Sequence, residues 1–477
     1  MDAWQTYPVE FRGGLITNLS PLQQGINAPG SARILRNYEP SVEGGYRRIE
    51  GFTKFDSAII PPYGAPVVHG ASQTGTTLII AACHTTPVAG DTFQVAGVSG
   101  TYTIASGGVS FDATNNRATL TLTTSLASSP ANAAVVTFLS TSSNYLTIGV
   151  AAWEDSAIVC KNADIFKSGG SGFTKINVPD YGTPLVNGAG QSGGTLAIDG
   201  LDSAPQLGDA FKIAGVDLIY TVTADATVSS GGATININPN LASSPADDAA
   251  ITFLSVSRET AGKTRFAKYN FSGTEKIAIV DGLNAPALYD NATFTVLDSA
   301  PTGVIGASFV EEAKKHLFFA KGSNLTFTAP YTDSDFTAAN GSGVINVGTT
   351  ITGLAVFRQN LIIFTERSIH QLLGTTIADF SLQPITTDIG CIDSDTIQEI
   401  AGDIMFLAPD GLRLVSGTDR IGDFGLASVS KNIQSNMTAF IAANTSFTSC
   451  VIREKSQYRI LGFNNKINAE NAQGALA

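Results

Sequence analysis

The sequence predicts an all-β protein: a β-propeller core of about six blades that carries two duplicated insertions, each a small β-sandwich or barrel. Three observations predict this fold: a module that occurs twice, a weaker period in the rest of the chain, and the composition. The 477 residues include 48 Gly, and only 14% are charged. Short strands joined by Gly, Asn and Asp turns have such a composition, whereas helical bundles need more Glu, Lys and Arg.

The duplicated module occupies residues 63–140 (copy 1) and 181–255 (copy 2). Copy 1 opens with YGAPVVHGASQTG and copy 2 with YGTPLVNGAGQSG, and both close with LASSPA followed by a TFLS strand. The offset between the copies changes from 118 to 115 residues, so one three-residue deletion separates them. Alternating segments such as ATLTLTT predict strands with one buried face, and we expect six or seven strands in each copy.

Outside the two copies, apolar strands lead into a turn and a second strand at regular intervals. The apolar positions Val159, Ile279, Phe319, Ile363 and Phe406 mark a period of about 40–45 residues once copy 2 is set aside. Hairpins at this spacing are typical of four-stranded propeller blades. Each copy follows a GFTK strand, so both are expected to be insertions after the same strand of successive blades.

These periods predict five segments. They are an N-terminal arm with the first propeller strands (1–62), copy 1 (63–140), a blade (141–180), copy 2 (181–255), and the remaining blades with a closing hairpin (256–477). The N-terminal and C-terminal strands are expected to form one blade together, because a ring closed in this way leaves no exposed sheet edge. The candidate residues of this closing blade are Tyr46, Arg47, Arg48, Tyr458 and Arg459.

The chain is acidic, with a net charge of −12 and a pI near 4.8. Copy 2 has seven Asp and one Lys, a net charge of −6. Proteins that hold nucleic acid through its phosphates are normally basic, so this composition argues against such a role. It is compatible with a surface along which DNA slides without being bound.

The motifs in the sequence do not point to a catalytic, cofactor or metal site. Gly188–Gly193 fits G-x-G-x-x-G, but a strand follows it where a dinucleotide site needs a helix. The four His and four Cys lack metal-ligand spacing, which favours reduced and mostly buried thiols. The acidic turns at 332–335 and 393–395 do not fit an EF-hand loop. We expect no cofactor, no secretory signal and no membrane insertion.

Two stretches carry a resemblance to a known family. They are GGLITN…GGYRRIEGFTKF (13–55) and LLGTTIADFSLQPITTDIGCIDSD…SVSKNIQ (372–434), the latter followed by REKSQYRILGF. These stretches resemble the tail nozzle (tail tubular) and packaged-DNA stabilisation proteins of short-tailed bacteriophages. The two copies lie outside the resemblance, and we interpret them as additions particular to this lineage. The positions that match the family, interpreted as turn and packing residues, are Asp379, Phe380, Asp388, Gly390, Asp410, Gly411, Arg420, Gly422 and Asp423.

The resemblance implies a non-enzymatic subunit of a homo-hexameric ring in the virion tail, assembled in the host cytoplasm. The ring would lie below the head–tail adaptor protein and contact tail fibres or tail-tip (needle) proteins. Double-stranded DNA would pass through its channel without specific binding, and the ring would retain packaged DNA until ejection. An acidic, lysine-poor channel would repel the phosphates.

Two alternatives stay open from the sequence. The duplicated copies could be binding modules for carbohydrate, for a receptor or for tail fibres. The chain could also be a propeller enzyme that degrades polysaccharide, because glycosidases use two carboxylates about 5–9 Å apart and such spatial pairs are not visible in a sequence.

Overall fold

In the computed structural model of the chain, the described residues are 13–40, 45–49, 59–140, 147–161, 164–170, 172–178, 180–255, 262–297, 300–416, 428–455, 457–463 and 473–476. The chain divides into two compact units. Unit 1 comprises Met1–Thr53 and Phe309–Ala477, and unit 2 comprises Lys54–Ser308. Strands dominate both units, so the all-β prediction is confirmed.

The N-terminal part of unit 1 contains one short helix and one hairpin. Helix α1 (Pro21–Asn27) begins after Ser20, whose hydroxyl accepts the amide of Gln23 in a capping box. Strands β1 (Tyr38–Pro40) and β2 (Tyr46–Arg48) pair with each other as a two-stranded antiparallel sheet.

Copy 1 is a six-stranded antiparallel sheet in unit 2 that curls into a nearly closed barrel. Its strands are β3 (Gly64–Val68), β4 (Thr77–Cys83), β5 (Thr92–Val95), β6 (Val98–Asp112), β7 (Arg117–Leu122) and β8 (Val136–Ser140). The strand order is β3-β4-β7-β6-β5-β8, and a bridge between Val67 and Val135 brings the first strand to the last. Alternate residues of these strands fill a core of their own.

A four-stranded sheet follows copy 1 in the chain. Its strands are β9 (Thr147–Trp153), β10 (Ser156–Lys161), β11 (Asp164–Ser168) and β12 (Phe173–Lys175), and each pairs with the next in antiparallel fashion. Strand β12 lies in the GFTKI segment, and copy 2 follows it. The corresponding GFTKF segment before copy 1 lies outside the described residues.

Copy 2 has the same architecture as copy 1. Its strands are β13 (Gly182–Val186), β14 (Thr195–Leu201), β15 (Ala210–Ile213), β16 (Ile219–Val222), β17 (Ala233–Asn238) and β18 (Ile251–Ser255). The order β13-β14-β17-β16-β15-β18 is identical, and a bridge between Leu185 and Ala250 corresponds to that of copy 1. The three-residue difference falls between Ile104 and Ala118 of copy 1, within the β6–β7 hairpin, where the corresponding segment of copy 2 runs from Val222 to Ala233.

The remaining sheet of unit 2 has the same form as the sheet before copy 2. Its strands are β19 (Arg265–Tyr269), β20 (Lys276–Val280), β21 (Ala287–Tyr289) and β22 (Phe294–Val296). The two four-stranded sheets pack face to face through a shared core that includes Trp153, Ile158, Ile277 and Ile279. Apolar central strands that are covered on both faces explain the continuous hydrophobic runs in the sequence.

Unit 1 continues with two four-stranded sheets and one three-stranded sheet. The strands are β23 (Phe309–Ala313), β24 (His316–Lys321), β25 (Asn324–Phe327) and β26 (Gly343–Asn346); β27 (Ile351–Phe357), β28 (Asn360–Thr365), β29 (Ile369–Leu373) and β30 (Ser381–Thr386); and β31 (Gln398–Ile400), β32 (Asp403–Ala408) and β33 (Gly411–Leu414). Consecutive sheets share cores, as propeller blades do.

The last sheet follows helix α2 (Gln434–Ala443). It consists of β34 (Ser446–Ile452), β35 (Gln457–Phe463) and β36 (Gln473–Leu476), and it packs on the preceding sheet through Leu407, Leu412 and Tyr458. Six blade-type sheets are therefore present in the described parts of the chain, in agreement with the predicted number of about six.

The last sheet takes its third described strand from the C-terminal segment. Strand β35 pairs with β34 on one edge and with β36 on the other, while β1 and β2 pair only with each other in the described residues. Residues 50–55, which belong to the N-terminal strand of the predicted closing blade, lie outside the described residues, so this blade stays a prediction. Within the described residues, side chains join the arm to the C-terminal hairpin.

Candidate interaction surfaces

One glutamine fixes the glycine-rich loop of each copy. In copy 2, Gln191 Nε2 donates to three backbone carbonyl oxygens at 2.9–3.1 Å, and Gln191 Oε1 accepts the Ala197 amide at 2.6 Å. Gln73 makes the same four hydrogen bonds in copy 1. Strand β14 follows the loop, so the G-x-G-x-x-G match at Gly188–Gly193 is a turn and not a dinucleotide site.

A buried tyrosine–aspartate pair fixes the first strand of each barrel. Tyr181 donates its hydroxyl to Asp209 at 2.5 Å, and Tyr63 donates to Asp91 in copy 1. Both aspartates are fully buried, and each also accepts a backbone amide from the preceding loop. This pairing explains why both copies retain a Gly-Asp dipeptide far from their opening Tyr-Gly.

The two copies contact each other within unit 2. Val67, Ala81 and Ala82 of copy 1 form an apolar cluster with Ala210 and Ile219 of copy 2, which we call the inter-copy cluster. Small side chains dominate it, so the two barrels approach closely.

Polar contacts surround the inter-copy cluster. The Thr221 hydroxyl donates to the Asn115 carbonyl oxygen at 3.1 Å, and the Asn116 side chain donates to the Gly208 carbonyl oxygen at 3.3 Å. The Ala71 amide donates to the Asp217 carboxylate at 3.1 Å. The two copies therefore pack against each other and are not separate domains joined only by the chain.

A buried charged cluster joins copy 1 to the neighbouring sheet of unit 2. Asp164, at the start of β11, lies 3.0 Å from His84 Nδ1 and 2.5 Å from Lys175 Nζ. Burial alone would raise the pKa of Asp164, but the charges of His84 and Lys175 lower it well below its ordinary value. A side chain at Gly64 would collide with this carboxylate, so the glycine of the opening Tyr-Gly is needed where the barrel begins.

The family-signature residues lie at separate turns of unit 1. Asp379 accepts hydrogen bonds from the amides and hydroxyls of Thr375 and Thr376, which lower its pKa to about 2. Phe380 packs against the rings of Phe318 and Phe327. Both residues hold the loop before β30.

The other described signature residues are also structural. Any side chain at Gly390 would overlap the Thr365 carbonyl oxygen, and Gly411, the first residue of β33, has a φ of +134°. Asp410 binds the buried guanidinium of Arg413, with one contact at 2.9 Å. Asp388 is exposed, and its amide donates to the Thr386 hydroxyl. Three predicted signature residues lie outside the described residues: Arg420, Gly422 and Asp423.

Glu39 joins the N-terminal arm to the C-terminal hairpin. Its carboxylate is fully buried and accepts hydrogen bonds from Arg47 Nε at 2.8 Å, Lys455 Nζ at 3.0 Å and Arg459 Nη2 at 2.9 Å. Burial would raise the pKa of Glu39, but the hydrogen bonds from Lys455, Gln457 and Arg47 lower it to about 2. Two closing-blade candidates, Arg47 and Arg459, therefore meet at this carboxylate.

The other closing-blade candidates bind backbone oxygens or face solvent. The Tyr46 hydroxyl donates to the Gly30 carbonyl oxygen at 2.9 Å, and the Tyr458 hydroxyl donates to that of Thr396 at 2.7 Å. Arg48 is exposed. Sequence reasoning did not single out Glu39, because a lone acid in a short strand carries no signal of its burial.

The N-terminal arm presents apolar side chains to solvent. Leu22 and Ile26 on α1 are 76% and 70% exposed, and Ile34 and Tyr38 are 77% and 48% exposed. Arg33 and Arg36 lie among them, and both are exposed. Exposed apolar residues together with arginine are typical of protein–protein contact surfaces, so the arm is a candidate surface of this kind.

Within the part of the chain that the structure describes, no group of three His, Cys, Asp or Glu side chains is arranged to hold a metal ion. The acidic turn at 332–335 is held by its own hydrogen bonds, in which Asp335 accepts from the Thr337 amide and the Asn340 side chain. All four cysteines are free thiols, and only Cys450 is exposed. No described helix is long and apolar enough to span a bilayer.

The fold and these surfaces define an all-β protein of propeller-type blades with a pair of inserted barrels. Residues 182–256 match the family model of the distal tail protein pb9, B domain. The matched range coincides with copy 2. The match supports the assignment of this chain to a bacteriophage virion tail.

This match corrects one interpretation of the sequence. We expected the two copies to be additions particular to this lineage, but copy 2 fits a domain family described in another tail protein. Copy 1 shares its strand order, its buried tyrosine–aspartate pair and its glutamine-fixed loop. Both copies therefore share an architecture, and copy 2 is similar to a domain of the distal tail protein pb9.

No curated protein sequence matches the chain. Solved structures that match include apo AztD from Citrobacter koseri, with 12% identity over 73% of this chain and 91% of that one, at a TM-score of 0.28. The Pan2 WD40 domain of Neurospora crassa has 8% identity over 57% and 75%, at 0.25. The phage phi92 endosialidase has 11% identity over 78% and 65%, at 0.26. At these TM-scores we draw no argument from them.

Proposed function

We propose that this chain is a tail nozzle subunit of a short-tailed bacteriophage. Six copies assemble into a ring below the head–tail adaptor, and the ring encloses the channel through which double-stranded DNA leaves the head. The observation that carries the proposal is the match of residues 182–256 to a domain of a tail protein. The resemblance of residues 13–55 and 372–434 to nozzle proteins narrows it to this position in the tail.

The charge of the molecule supports passage of DNA without binding. The whole chain has a net charge of −12. Five aspartates of copy 2 are exposed, while its single lysine is half-buried. Because exposed carboxylates repel phosphates over about a Debye length, such a surface keeps nearby DNA mobile. The exposed aspartates are Asp202, Asp217, Asp225, Asp247 and Asp248.

The N-terminal arm supports assembly from identical subunits. Its exposed apolar residues, Leu22, Ile26 and Ile34, need a covering partner, and a neighbouring subunit supplies one at every position of a ring. A heterologous contact repeated by rotation closes into a ring without a second protein. The adaptor and the tail fibres or tail-tip proteins are the further partners that we propose for the two rims.

We propose a structural role without catalysis. The positions that carry the nozzle resemblance serve packing and turn formation: Phe380 packs in an aromatic group, Gly390 fits against backbone, and Asp410 holds Arg413. The mechanism is mechanical and electrostatic: a ring that holds the genome and then conducts it.

Two measurements test the proposed function. Mass spectrometry of purified virions should detect the chain at about the copy number of a six-fold tail ring. Negative-stain images of the purified protein should show closed rings at high concentration. A protein that stays monomeric and is absent from virion tails would refute the proposal.

A second role, binding of a host glycan or of tail fibres, is favoured by one observation. The domain that matches a tail protein is a self-contained barrel and is present twice. A glycan array probed with the full-length protein tests it, and binding that is lost when copy 2 is altered would support this role over a purely structural one.

A further inference from the structure

The contact between the copies uses a different face of each barrel. We define the first face by Val67, Gly70, Ala81 and Ala133 of copy 1, whose equivalents in copy 2 are Leu185, Gly188, Asp199 and Asp248. We define the second face by Asp217, Leu218, Ile219 and Thr221 of copy 2, whose equivalents in copy 1 are Ser99, Gly100, Thr101 and Thr103. The equivalences follow from the shared strand registers.

The first face of copy 1 is docked on the second face of copy 2. Ala81 and Ile219 lie in the inter-copy cluster and are 2% and 0% exposed. A side chain at Gly70 would contact Leu218 at 3.3 Å, so the barrels are in close contact there. Thr221 is also buried at this contact, and its hydroxyl donates to the Asn115 carbonyl oxygen.

The first face of copy 2 is open. A side chain added at Gly188, the equivalent of Gly70, would meet no atom of the described residues within 4 Å. Asp199 and Asp248 replace Ala81 and Ala133, and Asp248 is exposed. A carboxylate in place of a cluster alanine would lose its hydration on docking, which disfavours the contact.

The second face of copy 1 is also unsuited to docking. Thr101 is exposed where its equivalent Ile219 is buried, and Thr103 is half-buried where Thr221 is fully buried. Leu139 is 43% exposed, whereas its equivalent Leu254 packs against the inter-copy cluster. This face therefore keeps Leu139 but has Thr101 in place of Ile219, the buried residue on which the docked first face rests.

The length difference between the copies lies at the same interface. The longer hairpin of copy 1 carries Asn115 and Asn116 at its tip, and both contact copy 2. Copy 2 has three fewer residues in this hairpin, so its own tip does not provide the equivalent contacts. The two copies thus differ in hairpin length, in charge and in apolar side chains at the positions that form the contact between them.

We propose that the second face of copy 2 is a docking site for the first face of a like module, and that the contact works in one direction only. Copy 1 docks on copy 2, but Asp199 and Asp248 prevent copy 2 from docking in turn on a further module. A heterologous contact between like domains otherwise propagates into filaments. The sequence differences between the copies therefore limit the contact to a pair of modules. The first face of copy 2, with Asp199 and Asp248, remains uncovered in this pair.

Residue exchanges between the copies test this proposal in the full-length protein. Ala81→Asp gives copy 1 the residue of copy 2, and Ile219→Thr gives copy 2 the residue of copy 1. Each barrel tolerates these residues, because its sister carries them at the equivalent position in the same fold. The matched controls are the reverse exchanges on the open faces, Asp199→Ala and Thr101→Ile.

Hydrogen exchange measured by mass spectrometry provides the readout. We expect Ala81→Asp and Ile219→Thr to accelerate exchange about tenfold or more in the hairpin tip at 112–117 and the loop at 69–72. The paired core strands β4 and β7 should keep their protection, which shows that the barrels stay folded. Each control restores only one of the two open faces, so neither completes a new contact, and both should leave these segments unchanged. With both faces restored in the combined variant Thr101→Ile/Asp199→Ala/Asp248→Ala, we expect association beyond that of the native protein in sedimentation velocity, and the absence of added association would overturn the one-directional contact. Equal exchange in the test and control variants would overturn the proposal.

Discussion

At the scale of single residues, Glu39 stabilises the junction between the two ends of the chain. Three cations, Arg47, Lys455 and Arg459, surround one fully buried carboxylate. Glu39→Gln keeps the shape but leaves these cations without their counter-charge. We expect a loss on the order of 3 kcal/mol in the free energy of unfolding, measured by denaturant titration.

The pH dependence of Glu39 has a definite sign. Its pKa is about 2 in the folded chain and 4.5 in the unfolded chain. The stabilisation is therefore complete above about pH 4.5 and is lost as the pH falls towards 2. The Glu39→Gln variant should lack this part of the acid dependence. Glu454→Gln, a charge removal at an exposed neighbouring site, should behave as the native protein does.

The glutamines of the two glycine-rich loops give a second prediction at this scale. Gln191→Ala removes four hydrogen bonds from the copy 2 loop, and Gln73→Ala does the same in copy 1. We expect each to destabilise its own barrel by about 1–3 kcal/mol, seen as faster hydrogen exchange in that barrel. Gln94→Ala, at an exposed position with one side-chain bond, is the control. Equal effects of all three substitutions would refute this role of the glutamines.

Local patterns predicted some of these residues and not others. The dinucleotide interpretation of the Gly188–Gly193 loop was rejected because the sequence predicts a strand after it, and the structure confirms that strand. Glu39 was missed, since two of its partners are more than 400 residues away in the chain. A long-range ion pair leaves no periodic signal, whereas a repeated loop does.

At the scale of elements, strand β23 contains an acid in an unfavourable setting. Burial raises the pKa of the half-buried Glu311 to about 8. The folded chain thus keeps this proton up to about pH 8, while the unfolded chain releases it near 4.5. Between these two pH values unfolding releases the Glu311 proton. The contribution of Glu311 to the free energy of unfolding therefore falls as the pH rises from 4.5 to 8.

Glu311→Gln removes this dependence. We expect the variant to be more stable than the native chain at pH 8 by about 1–2 kcal/mol, and nearly equal to it at pH 5. Thermal melts at the two pH values measure the effect. The neighbouring change Glu312→Gln should retain the native fall in stability with pH. A native chain that is equally stable at both values would contradict the assignment.

Periodicity predicted strands better than it predicted their partners. The strands of each copy and the number of blade-type sheets agree with the sequence, because buried strands leave apolar runs at regular spacing. The closing blade stays a prediction: β36 occupies one edge of β35, and residues 50–55 of the predicted N-terminal strand lie outside the described residues. Both candidates are short strands next to a hairpin, and their composition does not distinguish which one reaches that edge.

At the scale of the whole molecule, the sequence located the duplicated modules but not their relationship. Their bounds were visible as repeated sequence segments, whereas the docking of copy 1 on copy 2 depends on small side chains such as Ala81 and Ala210. Such residues give no pattern, and only the structure shows that they meet. The comparison then showed that copy 2 is similar to a domain of the distal tail protein pb9.

The ring is the central claim, and a cryo-EM reconstruction of the virion tail tests it most directly. The nozzle proposal predicts a six-fold ring below the adaptor into which six copies of this chain fit, with density for the paired barrels of residues 63–140 and 181–255 on each subunit. A tail whose nozzle density fits another protein, with this chain at a fibre or absent, would contradict the proposal.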